Sequence, residues 1–365
     1  MDPNKRVLVA MSGGVDSSVV AAVLKREGWD VFGVTLQLNP CEDRGLARSC
    51  CGVDAALNAR RVADQLGIEH LLLDCRREFS RLVLEPAWRE YARGRTPSPC
   101  ILCNERIKFG LLLDKALALG ASRVATGHYA RVVDREGRLA LARSHDKAKD
   151  QSYFLFALGQ SQLERTLLPL GELTKPEVRE LARELGLATA ERRESQDACL
   201  GSGAEFAESL RLRFDEEPRA GDLVDTSGRA LGHHDGLHRF TIGQRRGLGV
   251  ALGKPAFVCA IDGEGARVVV TTEPGDLWSA RLVVRLLSDG SLPQRCAVQI
   301  RSRHAPAAAS VAIGEPGLAE IRFDEPQRAV APGQAAVFYE GDTVVGGGWI
   351  ERAIGRGHGP TQPGG

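Results

Sequence analysis

Residues 7–17, Val-Leu-Val-Ala-Met-Ser-Gly-Gly-Val-Asp-Ser, decide the fold of this 365-residue chain. Val7–Met11 is a short apolar run that predicts a buried strand, and Ser17–Arg26 has apolar residues at the spacing of a helix, which Gly28 ends. The two glycines between them let the backbone turn its amides toward a ligand, and the new helix directs its N-terminus to the same place. This strand–turn–helix unit therefore predicts an anion-binding site at the carboxyl end of the first strand.

The turn itself, Ser-Gly-Gly-Val-Asp-Ser at residues 12–17, indicates which anion binds there. It lacks the Gly-Lys-Ser/Thr ending of a Walker P-loop, and Asp16 would repel a phosphate unless it acts through Mg²⁺. The motif resembles the ATP pyrophosphatase loop of enzymes that adenylate a carbonyl oxygen and release pyrophosphate. An ordinary βα turn with a serine as helix N-cap is the alternative. We expect ATP and Mg²⁺ at this loop.

The remainder of the first half alternates between strand and helix patterns. The elements that the spacing predicts are strands at Val31–Leu38, Leu71–Asp74 and Arg123–Thr126, helices at Asp54–Leu66, Glu105–Leu119, 150–168, Pro176–Leu185 and Ala204–Arg213, and a hairpin at Arg131–Arg143. Strands separated by helices of this length imply βαβ units and a parallel sheet. In such sheets, ligands bind at the carboxyl ends of the strands.

The pattern changes after residue 213. Short β-branched runs such as Arg267–Thr272 and Leu282–Leu286 alternate with glycine-rich turns, which is typical of small β domains. We therefore predict an α/β protein: an ATP pyrophosphatase-like catalytic domain with a parallel sheet at 1–213, a small middle β domain at 214–280, a second β domain at 281–355, and a flexible tail at 356–365. The family resemblance given below implies that the second β domain is barrel-like.

Composition bounds the class of protein. Hydrophobic residues make up 43% and charged residues 26% of the chain, which is typical of globular proteins and excludes long disorder, collagen and coiled coils. There is no apolar run of transmembrane length and no signal-peptide pattern, so we expect a cytoplasmic protein without membrane contact. The net charge is +1, so RNA binding would need a local basic face. No interface signal is visible, and we expect a monomer.

The cysteines are odd in number, which argues against a disulfide scaffold in a cytosolic chain. The nine are Cys41, Cys50, Cys51, Cys75, Cys100, Cys103, Cys199, Cys259 and Cys296. Only Cys100 and Cys103 have CxxC spacing, in a proline-pinned loop that is predicted to open a helix at Glu105. A thiol there would feel the helix N-terminus, which lowers the pKa and favours the thiolate. Cys199 lies in a polar stretch, and a buried, inert thiol remains its alternative interpretation.

Seven motifs together resemble the tRNA-specific 2-thiouridylase family, which replaces the position-2 oxygen of the wobble uridine with sulfur. In chain order they are SGGVDSS (12–18), TPSPCILCNERIKFG (96–110), ATGHYAR (125–131), KDQSYFL (149–155), ESQDAC (194–199), FTIGQRRGLG (240–249) and PGQAAVFY (332–339). The resemblance covers roughly residues 5–352. It implies an adenine-nucleotide α-hydrolase-like fold for the first domain, and tRNA and a sulfur-donor protein as partners.

The resemblance also implies roles for individual residues. Cys103 corresponds to the nucleophile and Cys199 to the cysteine that carries a persulfide. The implied ATP-binding residues are Ala10, Met11, Ser12, Gly13, Gly14, Val15, Asp16, Ser17, Leu36 and Gly127. The implied tRNA-binding residues are Ser98, Pro99, Cys100, His128, Lys149, Asp150, Gln151, Arg301, Ser302 and Gln334. Two of these have independent interpretations: Asp150 could cap a helix at Gln151, and Arg301 with Arg303 would share one face of a strand at 298–303.

The implied reaction begins with adenylation of the uracil oxygen by ATP. A persulfide on Cys199, loaded by a cysteine desulfurase or a sulfur-relay protein, then delivers sulfur, and Cys103 releases it. Part of the family has an acidic residue where this chain has Cys100, so Cys100, Cys103 and Cys199 could instead hold a 4Fe–4S cluster with one open iron. Both versions stay open. An amidating ligase that acts on a small molecule and a noncatalytic tRNA-binding protein are the rival functions.

Overall fold

The computed structural model describes residues 5–38, 53–192, 203–287 and 292–355. The chain divides into two compact units, each assembled from segments that are distant in the sequence. The first comprises Met1–Leu84, Pro99–Gly201 and Asp342–Val344, and the second comprises Glu85–Ser98, Ser202–Gly341 and Val345–Gly365.

The first unit contains a parallel sheet and a hairpin, with helices between the strands. Its strands are β1 (Arg6–Ala10), β2 (Asp30–Gln37), β3 (Glu69–Asp74), β4 (Arg123–Ala125), β5 (Ala130–Arg135), β6 (Arg138–Arg143) and β7 (Thr166–Leu167). The helices as far as residue 184 are α1 (Val15–Arg26), α2 (Val53–Leu66), α3 (Arg76–Phe79), a π-helical segment (Ser80–Leu84), α4 (Glu85–Ala92, in the second unit), α5 (Pro99–Leu102), a second π-helical segment (Cys103–Leu111), α6 (Leu112–Ala118), α7 (Ser152–Leu155), α8 (Gln160–Leu163) and α9 (Lys175–Glu184).

The strand order of this sheet places a ligand crevice beside β1. Among the described strands the order is β3-β2-β1-β4-β7, and each neighbouring pair is parallel. Val7, Leu8 and Val9 are fully buried, which explains why β1 is a continuous apolar run. The chain leaves β1 toward β2 on one side, while β4 lies on the other side. The strand order therefore reverses between β1 and β4, where ligands of open α/β sheets bind.

Two helical predictions need correction, and one helical region was not predicted. The helix predicted to open at Glu105 begins at Pro99, because proline is pre-organised for a first helical turn and does not only stiffen a loop. The predicted helical stretch at 150–168 is two single-turn helices and a short strand, since Gly159 is extended (φ −82°, ψ 172°) and Thr166–Leu167 pairs with β4. The helical residues of α3, Ser80–Leu84 and α4 were not predicted.

The second unit contains the predicted β regions. Its elements from residue 204 onward are α10 (Ala204–Arg213), β8 (Gly221–Asp225), β9 (Ala230–His234), β10 (Phe257–Asp262), β11 (Arg267–Thr271), β12 (Trp278–Leu286), β13 (Arg295–Gln299), β14 (Ala307–Ile313), β15 (Leu318–Arg328), β16 (Ala335–Glu340), β17 (Thr343–Gly355) and short 3₁₀ turns at Leu237–Arg239 and Pro274–Leu277. β10-β11-β8-β9 form one described sheet. Strands β12-β15-β14-β13-β16-β17 close into a barrel because β12 also pairs with β17.

The fold class is thus confirmed: a parallel α/β sheet, then a small β sheet, then a β-barrel. One local prediction is wrong, because β13 ends at Gln299 and residues 301–303 form a turn. Arg301 and Arg303 therefore do not share a strand face. Gln299 Nε2 donates to the carbonyls of Arg301 and Ser302, both at 3.1 Å, and holds the turn. In the described residues, no helix is long and apolar enough to cross a membrane.

Candidate active site

The loop between β1 and α1 is a tight turn that is shaped by its own side chains. Ser17 Oγ accepts a hydrogen bond from the Ser12 N–H and donates one to the Gly14 carbonyl, each at 3.2 Å. Gly13 has a φ of +70°, and a Cβ at this position would meet the Ala55 carbonyl oxygen, so glycine is required. Gly14 is the N-cap residue of α1, and as a glycine it has no side chain that could accept hydrogen bonds from the first amides of the helix. The first amides of this helix can therefore serve an anion.

The predicted ATP residues share the carboxyl edge of the sheet. Ala10 pairs with Val34 of β2, so Leu36 lies just beyond the end of β1 on the neighbouring strand. Gly127 follows β4, and a Cβ there would lie 3.0 Å from Asp16 Cβ and 3.1 Å from the Ser17 nitrogen. Gly127 therefore packs its backbone directly on the first turn of α1, at the switch point of the sheet.

Asp16 is engaged by two residues that sequence analysis did not identify. Lys175 Nζ lies 2.7 Å and 2.8 Å from the two carboxylate oxygens, and the Tyr129 hydroxyl donates to Oδ1 at 2.9 Å. The Lys175 side chain is only 9% exposed, and its Nζ lies 5.7 Å from the centroid of the Tyr129 ring. The acidic residue of the nucleotide loop is thus neutralised by a buried lysine.

This ion pair does not fit the predicted use of Asp16 through Mg²⁺. A magnesium ion in a nucleotide site takes one or two carboxylates together with substrate phosphates and water. Both oxygens of Asp16 are already engaged. Within the described ranges, no three His, Cys, Asp or Glu side chains group so that they could hold a metal ion.

The predicted nucleophile lies inside a helix. Cys103 begins the π-helical segment one turn after Cys100, and it is buried (7% exposed), whereas Cys100 is half-buried. Because α5 starts at Pro99, Cys100 is in the first turn of the helix and Cys103 lies beyond that turn. π-Helical segments are rare and occur frequently at functional sites. Cys199 lies outside the described residues.

A further thiol, Cys75, lies at the carboxyl end of β3. Its N–H donates to the Gln37 carbonyl (3.0 Å), and its side chain is 1% exposed. Burial raises the pKa of the Cys75 thiol to about 11, and the nearby Glu78, Asp74 and Cys103 act in the same direction. Cys75 is therefore protonated at neutral pH.

His128, a predicted tRNA contact, is buried behind the helix that carries Cys103. Its Nε2 lies 3.4 Å from Lys108 Nζ and its Nδ1 lies 2.7 Å from Thr126 Oγ1. Lysine can only donate, so Nε2 accepts and the proton is on Nδ1. Burial holds the pKa of the imidazole well below 6.5, and Lys108 acts in the same direction. His128 is therefore neutral at pH 7.

The predicted tRNA segment Lys149-Asp150-Gln151 is tied to the partners of Asp16. The Gln151 side-chain oxygen accepts from the Tyr129 N–H (3.0 Å), and the Gln151 N–H donates to the Tyr129 carbonyl (2.8 Å). The N-cap position of α7 is Gln151 rather than Asp150, but the Asp150 carboxylate still accepts hydrogen bonds from the N–H (3.4 Å) and the hydroxyl (2.8 Å) of Ser152, the first residue of α7. The same carboxylate, 4% exposed, accepts from the Ser144 N–H and pairs with Arg143.

Of the other predicted tRNA residues, Pro99 and Cys100 belong to the first unit, and the second unit contains Ser98, Arg301, Ser302 and Gln334. Gln334 Nε2 donates to the carbonyls of Thr96 (3.0 Å) and Pro97 (3.1 Å), directly before Ser98 and Pro99. Ser98 is buried, Arg301 is half-buried and Ser302 is exposed. The Gln334 amide thus holds the segment that leads into the cysteine helix.

Three functional candidates, Lys175, Tyr129 and Arg192, were missed by sequence analysis, each because its contact joins distant parts of the chain. Lys175 lies directly before the helix predicted at Pro176–Leu185; in the structure it is the first residue of α9, after a capping box in which the Thr174 N–H donates to Glu177 at 2.7 Å. The pairing of Lys175 with Asp16 spans 159 positions. Arg192 Nη1 donates to the Gly13 carbonyl (2.7 Å), which again joins distant segments. The spacing of apolar residues along the sequence gives no information about such contacts.

Three sequence families match consecutive stretches of the chain. They are described as the tRNA methyl transferase HUP domain at residues 5–202, the tRNA methyl transferase PRC-barrel domain at 212–272, and the aminomethyltransferase beta-barrel domain at 281–350. The order agrees with the sheet, small β sheet and barrel described above.

Curated relatives are similar over nearly the whole chain. A tRNA-specific 2-thiouridylase MnmA of Geobacter metallireducens is 45% identical over 361 residues, which is 96% of this chain and 98% of the relative. Another of that name, from Moorella thermoacetica, is 49% identical over 356 residues, 94% of this chain and 99% of the relative. At this identity and coverage, the chain belongs to the tRNA-specific 2-thiouridylase family.

Proposed function

We propose that this chain is an ATP-dependent tRNA-uridine 2-sulfurtransferase that acts on the wobble uridine. The observation that carries the proposal is that the nucleotide loop and the helix with Cys103 belong to one compact unit, in a chain that aligns with curated 2-thiouridylases over 96% of its length. The amides at the start of α1 can bind a triphosphate, because Lys175 compensates the negative charge of Asp16 beside them. The buried Cys103 is a candidate nucleophile.

The reaction proceeds in three steps. The uracil O2 attacks the α-phosphorus of ATP, pyrophosphate leaves, and the oxygen becomes part of an adenylate leaving group. The terminal sulfur of a Cys199 persulfide attacks C2 and AMP leaves, so that a disulfide joins C2 to Cys199. The Cys103 thiolate attacks the Cys199 sulfur, which releases 2-thiouridine and forms a Cys103–Cys199 disulfide. A thiol reductant then restores both thiols.

The wobble base must enter this site from the anticodon loop. Extruding a base that is already single-stranded costs a few kcal/mol at most. The proposed tRNA contacts are Ser98, Pro99, Cys100, His128, Lys149, Asp150, Gln151, Arg301, Ser302 and Gln334. Since His128 and Asp150 are buried, we expect them to position neighbouring backbone rather than to touch the RNA in the described conformation.

We consider two sources for the transferred sulfur. In the first, a cysteine desulfurase or relay protein loads Cys199. In the second, Cys100, Cys103 and Cys199 would hold a 4Fe–4S cluster, whose open iron would supply bound sulfide. Cys100 and Cys103 are one helical turn apart, which suits two ligands of one cluster. We expect the protein to act as a monomer in the cytoplasm, and Mg²⁺ to arrive with ATP.

An anaerobic assay tests the proposal. Purified protein receives unmodified tRNA, Mg-ATP and sulfide, and 2-thiouridine is quantified by mass spectrometry. We expect product and AMP in equal amounts, no product from Cys103→Ser although it still binds tRNA, and normal product from the control Cys296→Ser in the barrel. Product that follows iron content supports the cluster, whereas product from iron-free protein only with a persulfide donor supports the relay. Unchanged thiolation by Cys103→Ser would refute the site, and ATP cleavage that depends on a small molecule instead of tRNA would indicate a ligase.

A further inference from the structure

The nucleotide loop has an electrostatic problem that its own residues do not solve. A Walker loop contains a lysine that meets the phosphates, but residues 12–18 contain no cation and one carboxylate, Asp16. Asp16 is in the first turn of α1, the same turn that offers its amides to an anion. An uncompensated negative charge at this point would repel a triphosphate.

Lys175 supplies the missing charge from the start of α9. Its ammonium group contacts both oxygens of Asp16, and the Tyr129 hydroxyl contacts one of them. The lysine backbone is fixed as well, because its N–H donates to Asp146 Oδ2 at 3.0 Å. The position of this buried charge beside the loop is therefore set by three separate contacts.

We propose that Lys175 is the phosphate-positioning residue for the nucleoside triphosphate, and that Asp16 holds this lysine rather than a metal ion. The inference rests on the proposed ATP site and goes beyond it by naming the group that meets the polyphosphate charge. Asp16 and Tyr129 orient the ammonium group, and the amides of α1 complete the anion site. Asp16 thereby has a positioning role that needs no contact with ATP.

A charge cycle measured as ATP affinity tests this assignment. The dissociation constant of ATP is measured by equilibrium binding on the full chain, without tRNA, at low and high Mg²⁺. Lys175→Met is expected to weaken binding by more than about tenfold, because it removes a cation and leaves Asp16 uncompensated. Asp16→Asn in that background removes the repulsion, so the double variant binds more tightly than Lys175→Met alone. Lys175→Arg retains the charge and most of the affinity.

The control is Arg183→Met on the same helix, which removes an exposed cation whose ion pairs are with Glu180 and Glu191 and should leave ATP affinity unchanged. If Asp16 is instead a magnesium ligand, Asp16→Asn alone loses affinity, excess Mg²⁺ offsets the loss, and the double variant is no better than Lys175→Met. That result overturns the proposal.

Lys175→Met with wild-type affinity also overturns it, whereas wild-type protein that fails to bind ATP refutes the ATP site itself. Thermal unfolding of each variant separates loss of the fold from loss of the charge, and the double variant serves if Lys175→Met is unstable.

Discussion

The two glycines of the nucleotide loop are expected to differ sharply in their tolerance of alanine. Gly13 has a φ of +70°, and its added Cβ would meet the Ala55 carbonyl oxygen and lie 3.0 Å from the Ala55 carbonyl carbon. A left-handed conformation costs a non-glycine residue about 1–2 kcal/mol, and overpacking against backbone adds about 1–3 kcal/mol. Gly14 has a φ of −93°, and the nearest atom to its Cβ would be Ser12 Oγ at 3.6 Å, an ordinary contact. Gly13→Ala should therefore destabilise the free protein by roughly 2–5 kcal/mol, and Gly14→Ala by less than about 1 kcal/mol.

Urea unfolding of both variants without ligand measures this difference, and ATP binding is measured in parallel. The free protein is the informative state, because strain at Gly13 exists before any ligand arrives. Equal stability of Gly13→Ala and wild type would refute the reasoning, and so would an equal loss in both variants. A loss of ATP affinity by Gly14→Ala with unchanged stability would show that the ligand itself approaches this glycine.

Three other outcomes follow from contacts of the described residues. Arg192→Met removes the donor to the Gly13 carbonyl and should weaken ATP binding by about 1 kcal/mol in a binding titration, whereas unchanged affinity would show that this contact does not shape the loop. The pKa of His128 lies well below 6.5 in the folded chain, so the unfolded chain binds the proton first as the pH falls. Stability should be full above pH 6.5 and fall below it by up to about 1.4 kcal/mol per pH unit, and unfolding of His128→Gln over pH 5–8 should lack this contribution. Gln334→Ala frees the Thr96 carbonyl and should lower the unfolding free energy by about 1–3 kcal/mol; a loss of tRNA affinity without a loss of stability would instead assign Gln334 to the RNA.

The fold could be predicted from the sequence where local signals and burial agree. Val7–Met11 is apolar throughout because β1 is buried in the middle of a parallel sheet, and the glycine-rich turn after it marks the switch point. The residues implied for ATP reach one edge of the sheet for the same reason: parallel strands end on the same side. The last domain was predicted to be barrel-like, but the strands that close the barrel were not predicted, because closure depends on the pairing of β12 with β17 across distant sequence.

The site was predicted less completely because its charges are paired over long range. Asp16 was recognised as a problem for phosphate binding, but its compensation by Lys175 depends on how α9 packs, which no local pattern reports. The helix in this region was predicted to begin at Glu105 rather than at Pro99, because the Ser98-Pro99 pair was interpreted as part of a loop. A proline at the first helical position and a proline in a loop give the same sequence signal, and only the packed chain distinguishes them.

The segment at 144–151 connects the proposed RNA contacts to the nucleotide loop. Gln151 holds the backbone of Tyr129, and Asp146 holds the backbone of Lys175, so both partners of Asp16 depend on one segment. A tRNA that engages Lys149 would act on this segment directly, and a shift of about 1 Å there is enough to disturb hydrogen bonds of 2.7–2.9 Å to Asp16. Coupling between two ligands is reciprocal. If tRNA strengthens ATP binding through this segment, ATP must strengthen tRNA binding by the same factor, and removal of the Gln151 amide must reduce both effects together.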